Sequence, residues 1–277
     1  MNKYSILSVD SNPDYLFLAP ITSAFWVDLG YIPFIMFINK DFNLEMKSLV
    51  TKLSEEEGAV VEDLEHIEGY RTCNVAQLSR LYAAASNRFK PGDYLMTDDI
   101  DKIPVDFMWF NQQDFTKDIH IFDPDELNYT RLKMGNIGMN SSVWREVIGF
   151  EKGSIRDSLS LSMQNHLSED STWDKGWNLD EWILTDSVFR SQYYPSRCQM
   201  LERGGNNLGL RNYRIDRGAW SQTYDYCRST KIIDIHIHRR PWEGQVWEDM
   251  LTIMKSVFPK QKIEKFIKYR DEFVGML

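Results

Sequence analysis

The sequence predicts an α/β fold in which a mixed, mostly parallel sheet is flanked by helices, with further helices at the carboxyl end. Three observations carry that expectation. The first 38 residues alternate strand, helix and strand; a helical stretch from Asn74 hands the chain to the apolar run "YLMT"; and residues 243–277 hold two amphipathic stretches. Alternation of this kind produces parallel strands joined by crossover helices.

The elements follow in order. "KYSILSVDS" has the β-branched and apolar content of a buried strand and ends at Asp10, Ser11 and Asn12. Pro13 marks a turn, and a helix is expected from Pro20, because proline suits a first helical turn and breaks an interior one. That helix carries "ITSAFWVDL" and stops at Gly30, after which "IPFIMFI" is a second buried strand. Residues 41–69 are acidic and irregular in pattern; "SEEEG" is expected to be a solvated face rather than a metal cluster at Glu55, Glu56 and Glu57. From Asn74, "NVAQ" fits a capping box, and Val75, Leu78, Tyr82 and Ala85 recur at helical spacing up to "KPGD". "MGNIGMNSSVWREVIGF" sets Gly135 and Gly138 before a short helix, and "WNLDEWILTDSVFRSQYY" is amphipathic. Residues 195–220 are loop-rich, "KIIDIHIH" is a strand ending in two histidines, and "EGQVWEDMLTIMKSVF" and "KQKIEKFIKYRDEFVGML" are the closing helices, the last with the mixed charges of a surface helix. There is no internal repeat and no low-complexity linker.

The chain has 277 residues, enough to bury a substantial core. A formal net charge of −9 argues against broad adhesion to nucleic acid or anionic lipid, leaving small molecules and neutral surfaces as expected partners. Cys73, Cys198 and Cys227 are odd in number and widely spaced, so neither a disulfide framework nor a cysteine zinc site is expected. The apolar stretch after Lys3 is too short for a secretory signal, and residues 15–38 are interrupted by Pro20, Asp28, Gly30 and Pro33. These features predict a soluble, cytoplasmic protein with no transmembrane segment.

The chemistry gathers in "GDYLMTDDIDKIPV". Asp98, Asp99 and Asp101 follow an apolar strand directly, although neighbouring carboxylates repel and resist burial unless a cation or a donor satisfies them. Carboxyl ends of strands are where open α/β sheets bind ligands. In extended chain, Asp99 and Asp101 point to one side while Ile100 turns back into the protein. Two oxygen ligands from one short segment suit Mg²⁺ or Mn²⁺, ions that keep other positions for water and substrate phosphates. An EF-hand loop would need a glycine and a glutamate that are missing; a haloacid-dehalogenase-type site would continue with a small residue and threonine, where Lys102, Ile103 and Pro104 stand. Turn-capping aspartates without a ligand are the bland alternative. Strand alternation sends His236 and His238 to one face with Asp234, so either could be a metal ligand or only hydrogen-bonded.

With these pieces in order, the chain resembles the nucleotide-sugar-dependent glycosyltransferases of the GT-A fold, and most nearly the family that contains glycogenin and the bacterial lipopolysaccharide galactosyltransferases. "LSVDSNPDYL" resembles that family's first strand and the turn that contacts the nucleotide. "LSRLYAAA" before "DYLMTDDID" resembles its Arg-Leu helix and DxD strand, "NIGMNSSVWRE" its Asn-x-Gly-Val segment, and "DIHIHRRPW" its late histidine and Lys-Pro-Trp segment. "LDEWIL" sits where the family has Asp-Gln-Asp, with Glu181 and Trp182 departing from it, so stereochemistry stays open. The resemblance implies one GT-A domain over 1–277: a nucleotide-binding half over 1–105, an acceptor-side half over 106–242 and terminal helices over 243–277. It also implies Asp99 and Asp101 with His236 or His238 as ligands of Mn²⁺ or Mg²⁺. Ser8, Asp10, Tyr15, Arg80, Asp98 and Asp99 would lie against a UDP- or GDP-sugar donor.

Acceptor activation needs a carboxylate near the attacking hydroxyl, and Asp180 and Glu181 are the candidates, Asp180 having helix capping as its alternative. Arg203, Arg211, Arg214 and Arg217, among Gly204, Gly205, Gly209 and Gly218, could close over a diphosphate or simply be exposed. Trp173, Trp177 and Trp182 could form a sugar platform or a buried aromatic cluster. The expected function is metal-dependent transfer of a sugar to a hydroxyl of a glycan or glycoconjugate. The alternatives are an inactive glycan-binding or scaffolding protein and a nucleotidyltransferase.

Overall fold

The computed structural model describes residues 1–123, 131–166, 178–202, 214–215, 217 and 232–277. β1 (Lys3–Val9) leads through Asn12, whose side chain caps Asp14 N, into the single turn α1 (Pro13–Leu16), and then α2 (Ala19–Asp28) and β2 (Ile32–Asn39). Pro13 therefore opens a helical turn instead of marking an irregular one, and the next helix starts one residue before Pro20. α3 (Leu44–Glu56) and β3 (Val60–Glu65) occupy the stretch expected to be irregular. Their signals are weak: in β3 only Leu64 is fully buried, because it is the edge strand. α4 (Thr72–Tyr82) begins two residues before Asn74, with Arg71 at the cap and no side-chain cap bond, so the capping box does not form.

β4 (Tyr94–Thr97) is followed by the short β5 (Lys102–Pro104), α5 (Phe107–Phe110), β6 (Ile119–Phe122), β7 (Ile137–Asn140), α6 (Ser141–Ile148) and α7 (Ile155–His166). The remaining described elements are α8 (Leu179–Arg190), β8 (Cys198–Leu201), β9 (Arg214–Ile215), β10 (Asp234–His236), α9 (Gly244–Val257) and α10 (Lys260–Val274). Seven strands form one sheet in the order β3-β2-β1-β4-β7-β6-β8, and β5-β10-β9 form a small second sheet. All neighbouring pairs in the large sheet are parallel except those of β7, which runs antiparallel to β4 and β6. The predicted α/β class, a mostly parallel sheet between helices, is the fold observed.

Both faces of the sheet are covered, which is why its central strands read as continuous apolar runs. Ile35 and Phe37 face a core built with α2, α3, α9 and α10, whereas Phe34, Met36 and Ile38 face a second core built with α4, α6, α7 and α8. The carboxyl-terminal helices are bound into the first core. Phe17 stacks on Tyr269 at 5.1 Å and meets Trp242, Trp247 and Phe273 edge-on, while Tyr269 donates to the Phe17 carbonyl at 2.9 Å. The buried Glu57 is held by Lys262 at 2.7 Å and Lys265 at 2.8 Å, so the charges of the last helix are partly used inside. Glu57 thus serves as an anchor within "SEEEG". Among the described residues no helix is long and apolar enough to cross a membrane.

Buried imidazoles make the fold pH-sensitive. His120, 1% exposed on β6, and His66, at the end of β3, both titrate below the ordinary value because burial disfavours the charged ring. A depressed histidine contributes stability that is full above pH 6.5 and is lost as the pH falls through that value. Urea unfolding from pH 7.5 to 5 is expected to show a decline that is shallower in His120→Gln than in the parent chain; identical slopes would contradict it.

Candidate active site

The largest concentration of unusual polar groups lies at the carboxyl ends of β1 and β4, around a cavity of about 320 Å³. At one end β1 delivers Ser8 and Asp10. Ser8 Oγ donates to the Ala76 carbonyl at 2.6 Å, and Asp10 accepts from Thr72 Oγ1 at 2.8 Å and from Asn12 N at 3.1 Å. Tyr15, half-buried on α1, shares this end of the cavity. The first turns of α4 are thus tied to the turn after β1, which fixes the spacing of the two walls.

Arg80 stands at the centre. It is 6% exposed, and every side of its guanidinium is used: Nη1 donates to the Asp98 carbonyl at 2.9 Å and to Asp99 Oδ1, Nη2 to Asp180 Oδ2 at 3.0 Å, and Nε to the Gln77 carbonyl at 3.3 Å. One cation therefore joins α4, the end of β4 and the start of α8. Expected as a donor-binding residue, Arg80 lines the cavity while its hydrogen bonds go to the protein. Asp180, 3% exposed, is the counter-ion of Arg80 and accepts from Glu181 N with its other oxygen at 2.9 Å. It is the second residue of α8, whose cap position is Asn178, so it does not cap the helix. Burial pushes the Asp180 carboxyl up against the pull of Arg80.

Glu181 is the more available of the pair. Its side chain is 18% exposed and meets Arg131 Nε at 2.9 Å and Met134 N at 3.4 Å. Its carboxyl is raised by burial and by the neighbouring Asp180 charge, with Arg131 opposing. Such a carboxylate is a stronger base than a solvated one.

Asp98 takes a different place from the one expected. It is wholly buried, away from the cavity lining, and pairs with Lys102 Nζ at 2.6 Å; burial moves it up to about 6. Lys102, 3% exposed, also donates to Asn136 Oδ1. Gly135 explains how this lysine fits: a Cβ there would stand 2.7 Å from Lys102 Nζ and 3.3 Å from Asp99 Oδ2. Lys102 gave no sequence signal beyond its nearness to the acidic run, and a lysine after three aspartates reads as solvent-exposed.

Asp99 and Asp101 both line the cavity, but not through extended chain. Lys102 N donates to the Asp99 carbonyl at 3.1 Å and closes a turn over 99–102, so the buried Ile100 lines the cavity between them, which corrects the alternation expected of this segment. β10 supplies the third group. Antiparallel pairing sets His236 opposite Lys102 and brings its Nε2 to 3.4 Å from Asp101 Oδ2. His238 lies two residues past the end of β10, exposed, with its Nδ1 near the Arg239 carbonyl at 3.2 Å and outside the cavity lining. The strand ends too early for alternation to carry both histidines inward, which corrects that expectation. Arg214 pairs with Asp234 at 2.8 Å, and Arg217 reaches the Asp101 carboxylate. Trp182 is 55% exposed and not part of the lining. Arg203, Arg211, Gly204, Gly205, Gly209, Gly218, Trp173, Trp177 and Cys227 lie outside the described residues.

The donor set of Asp99, Asp101 and His236 fits a divalent cation in kind, with two carboxylates and one imidazole nitrogen. Adjacent ligands of an octahedral ion with bonds of about 2.1 Å stand about 3 Å apart, close to the 3.4 Å between His236 Nε2 and Asp101 Oδ2. Among the described residues no three such side chains converge as closely as ligation demands, since Asp99 is turned to Arg80 and Asp101 to Arg217.

No family model and no curated protein matches the chain. Among solved structures it is similar to the galactosyltransferase LgtC in complex with donor and acceptor sugar analogs, with 10% identity over 99% of this chain and 100% of that one and a TM-score of 0.49. It is similar to the apo-form glycosyltransferase GlyE of Streptococcus pneumoniae TIGR4, with 13% identity over 99% of this chain and 64% of GlyE and a TM-score of 0.49. A third similar structure is residues 1–349 of TarS from S. aureus, with 10% identity, 99% and 71% coverage and a TM-score of 0.41.

Proposed function

We propose that this cavity binds a nucleoside diphosphate sugar with Mn²⁺ or Mg²⁺ and transfers the sugar to a hydroxyl of a glycan or glycoconjugate. The observation that carries the reading is the confluence of three chemically distinct groups on one cavity: Ser8, Asp10 and Tyr15 at the end of β1, Asp99, Asp101 and His236 beside them, and Asp180 with Glu181 at the start of α8. The first group suits a ribose and base, with Asp10 accepting from hydroxyls. Asp99, Asp101 and His236 would hold the metal, which when bound supplies positive charge to a leaving diphosphate.

In the transfer, the bond between the anomeric carbon and the diphosphate oxygen breaks and its electron pair leaves with the nucleoside diphosphate. The acceptor oxygen bonds to the anomeric carbon and loses its proton. Transfer with inversion needs a carboxylate to take that proton on the face opposite the leaving group, a role that suits Glu181. Arg80 and Asp180 keep Asp99 and Glu181 in place; they do not touch the reacting atoms.

The test is ligand linkage followed by turnover. Saturation with UDP or GDP at a hundred times its Kd, with Mn²⁺ present, is expected to stabilise the chain by about 2.7 kcal/mol, read as a rise in Tm that Asp101→Ala loses. A panel of sugar nucleotides with Mn²⁺ should then release free nucleoside diphosphate from at least one donor when a glycan acceptor is present. Stabilisation by glycans alone, or pyrophosphate released from a nucleoside triphosphate, would replace the reading with a binding protein or a nucleotidyltransferase.

A further inference from the structure

Among the described residues, the cavity lining carries five carboxylates and two guanidinium groups, an acidic balance that opposes a diphosphate. The two arginines are held differently. Arg80 is 6% exposed and spreads its donors over two carboxylates and two backbone carbonyls, so turning it to a ligand would break the join between α4 and α8. Arg217, two residues past β9, has a side chain 33% exposed and reaches across the lining to the Asp101 carboxylate. This is the carboxylate whose Oδ2 lies 3.4 Å from His236 Nε2. A guanidinium keeps its charge at any working pH, so it can be moved from Asp101 but not neutralised there.

Resting on the glycosyltransferase reading, we propose that Arg217 is an exchanging partner of Asp101: it competes with the divalent cation for this carboxylate, and on donor binding it passes to the diphosphate. Cation and diphosphate then favour one another through the protein as well as through their direct bond, and by linkage each does so to the same extent. The exchange needs little movement. Neighbouring ligands of one ion with bonds of about 2.1 Å stand about 3 Å apart, so a diphosphate oxygen on the cation held by Asp101 comes within reach of a guanidinium already at Asp101. The charges favour it too. Beside a divalent cation the guanidinium meets like charge, whereas on the diphosphate it makes charge-assisted hydrogen bonds to an anion.

The experiment reads the two halves separately. Mn²⁺ alone is titrated into the parent chain, Arg217→Ala and Arg217→Lys, with the free ion followed by electron paramagnetic resonance. UDP, GDP, uridine and guanosine are then titrated by calorimetry at saturating Mn²⁺. Arg217→Ala is expected to tighten Mn²⁺ alone by about tenfold yet weaken the nucleoside diphosphate by about tenfold or more, the size of one charge-assisted hydrogen bond, with the nucleoside changed by less than about twofold. Arg217→Lys keeps a cation and should lie nearer the parent in both titrations. Opposite signs are the mark of exchange. A residue that only builds the site would weaken both ligands, and one that only blocks it would tighten the cation and leave the diphosphate unchanged; either result overturns the proposal. If Mn²⁺ binds the parent while neither UDP nor GDP does, the transferase reading fails at its own step and the exchange with it. A Tm for Arg217→Ala near that of the parent confirms that folded chains are being compared.

Discussion

Arg80→Met is expected to lower the unfolding free energy by about 3–5 kcal/mol, the range for removing one partner of a buried ion pair. The reason is what remains. Asp180 is 3% exposed and has Arg80 as the cation at its Oδ2, and Asp99 meets the other end of the same guanidinium. Without the arginine, the Asp180 carboxylate loses its only ion-pair partner among the described residues, and two acidic groups face each other across the gap. Arg80→Lys should recover only part of the loss, because an ammonium is a point charge and cannot span two carboxylates and a backbone carbonyl as a planar fork does. Urea unfolding at pH 7 measures both variants. A loss below about 1 kcal/mol in Arg80→Met would show that neighbouring groups rearrange to satisfy Asp180, and the central role given to Arg80 would fall.

Glu181→Gln is expected to reduce kcat by about 10²–10⁴-fold, the usual contribution of a positioned general base, while the Kd for nucleotide with Mn²⁺ stays within about twofold. The substitution keeps the shape and the contact with Met134 N but removes the proton acceptor. Because burial and the Asp180 charge raise the carboxyl above its ordinary value, activity in the parent should fall on its acid side at a pH above that of a solvated glutamate. Steady-state rates across pH 4.5–8 read both effects. Unchanged kcat in Glu181→Gln would move the base elsewhere.

Continuous burial made the centre of the fold legible. β1, β2 and β4 are covered on both faces, and their sequences show it: β2 and β4 as apolar runs, β1 as one interrupted only by the small Ser5 and Ser8 after Lys3. β3, β6 and β8 gave no such signal: β3 exposes one face, and β6 and β8 have four residues each. The reversal at β7 depends on pairing between distant segments, which a linear pattern does not encode. Within the site, the position of Asp99 and Asp101 after a strand was legible, whereas the turn that brings both to the cavity was not. The pairing of Asp180 with Arg80 was not, since it spans 100 positions and resembles a helix cap in sequence. Asp98 was expected against a donor and lies instead in a buried pair with Lys102, because a surface run of charges and a buried ion pair have the same composition. His236 and His238 were separated only by where β10 stops.

The pairing of β5 with β10 also sets an order of events. Asp10, Arg80 and Asp99 lie within the first hundred residues, on strands and a helix that are near neighbours in the chain. Asp101 meets His236 only after 135 further positions, and the segment bearing His236 continues through Trp242 into the aromatic packing of Phe17 with Tyr269 and Phe273. Contacts of such long separation form late, after the entropy of closing the loop has been met. During synthesis, a nascent chain can therefore shape the Asp10 and Arg80 end of the cavity early, whereas the Asp101 and His236 end, where the proposed cation would sit, is completed only when the segment after residue 231 has emerged and folded back.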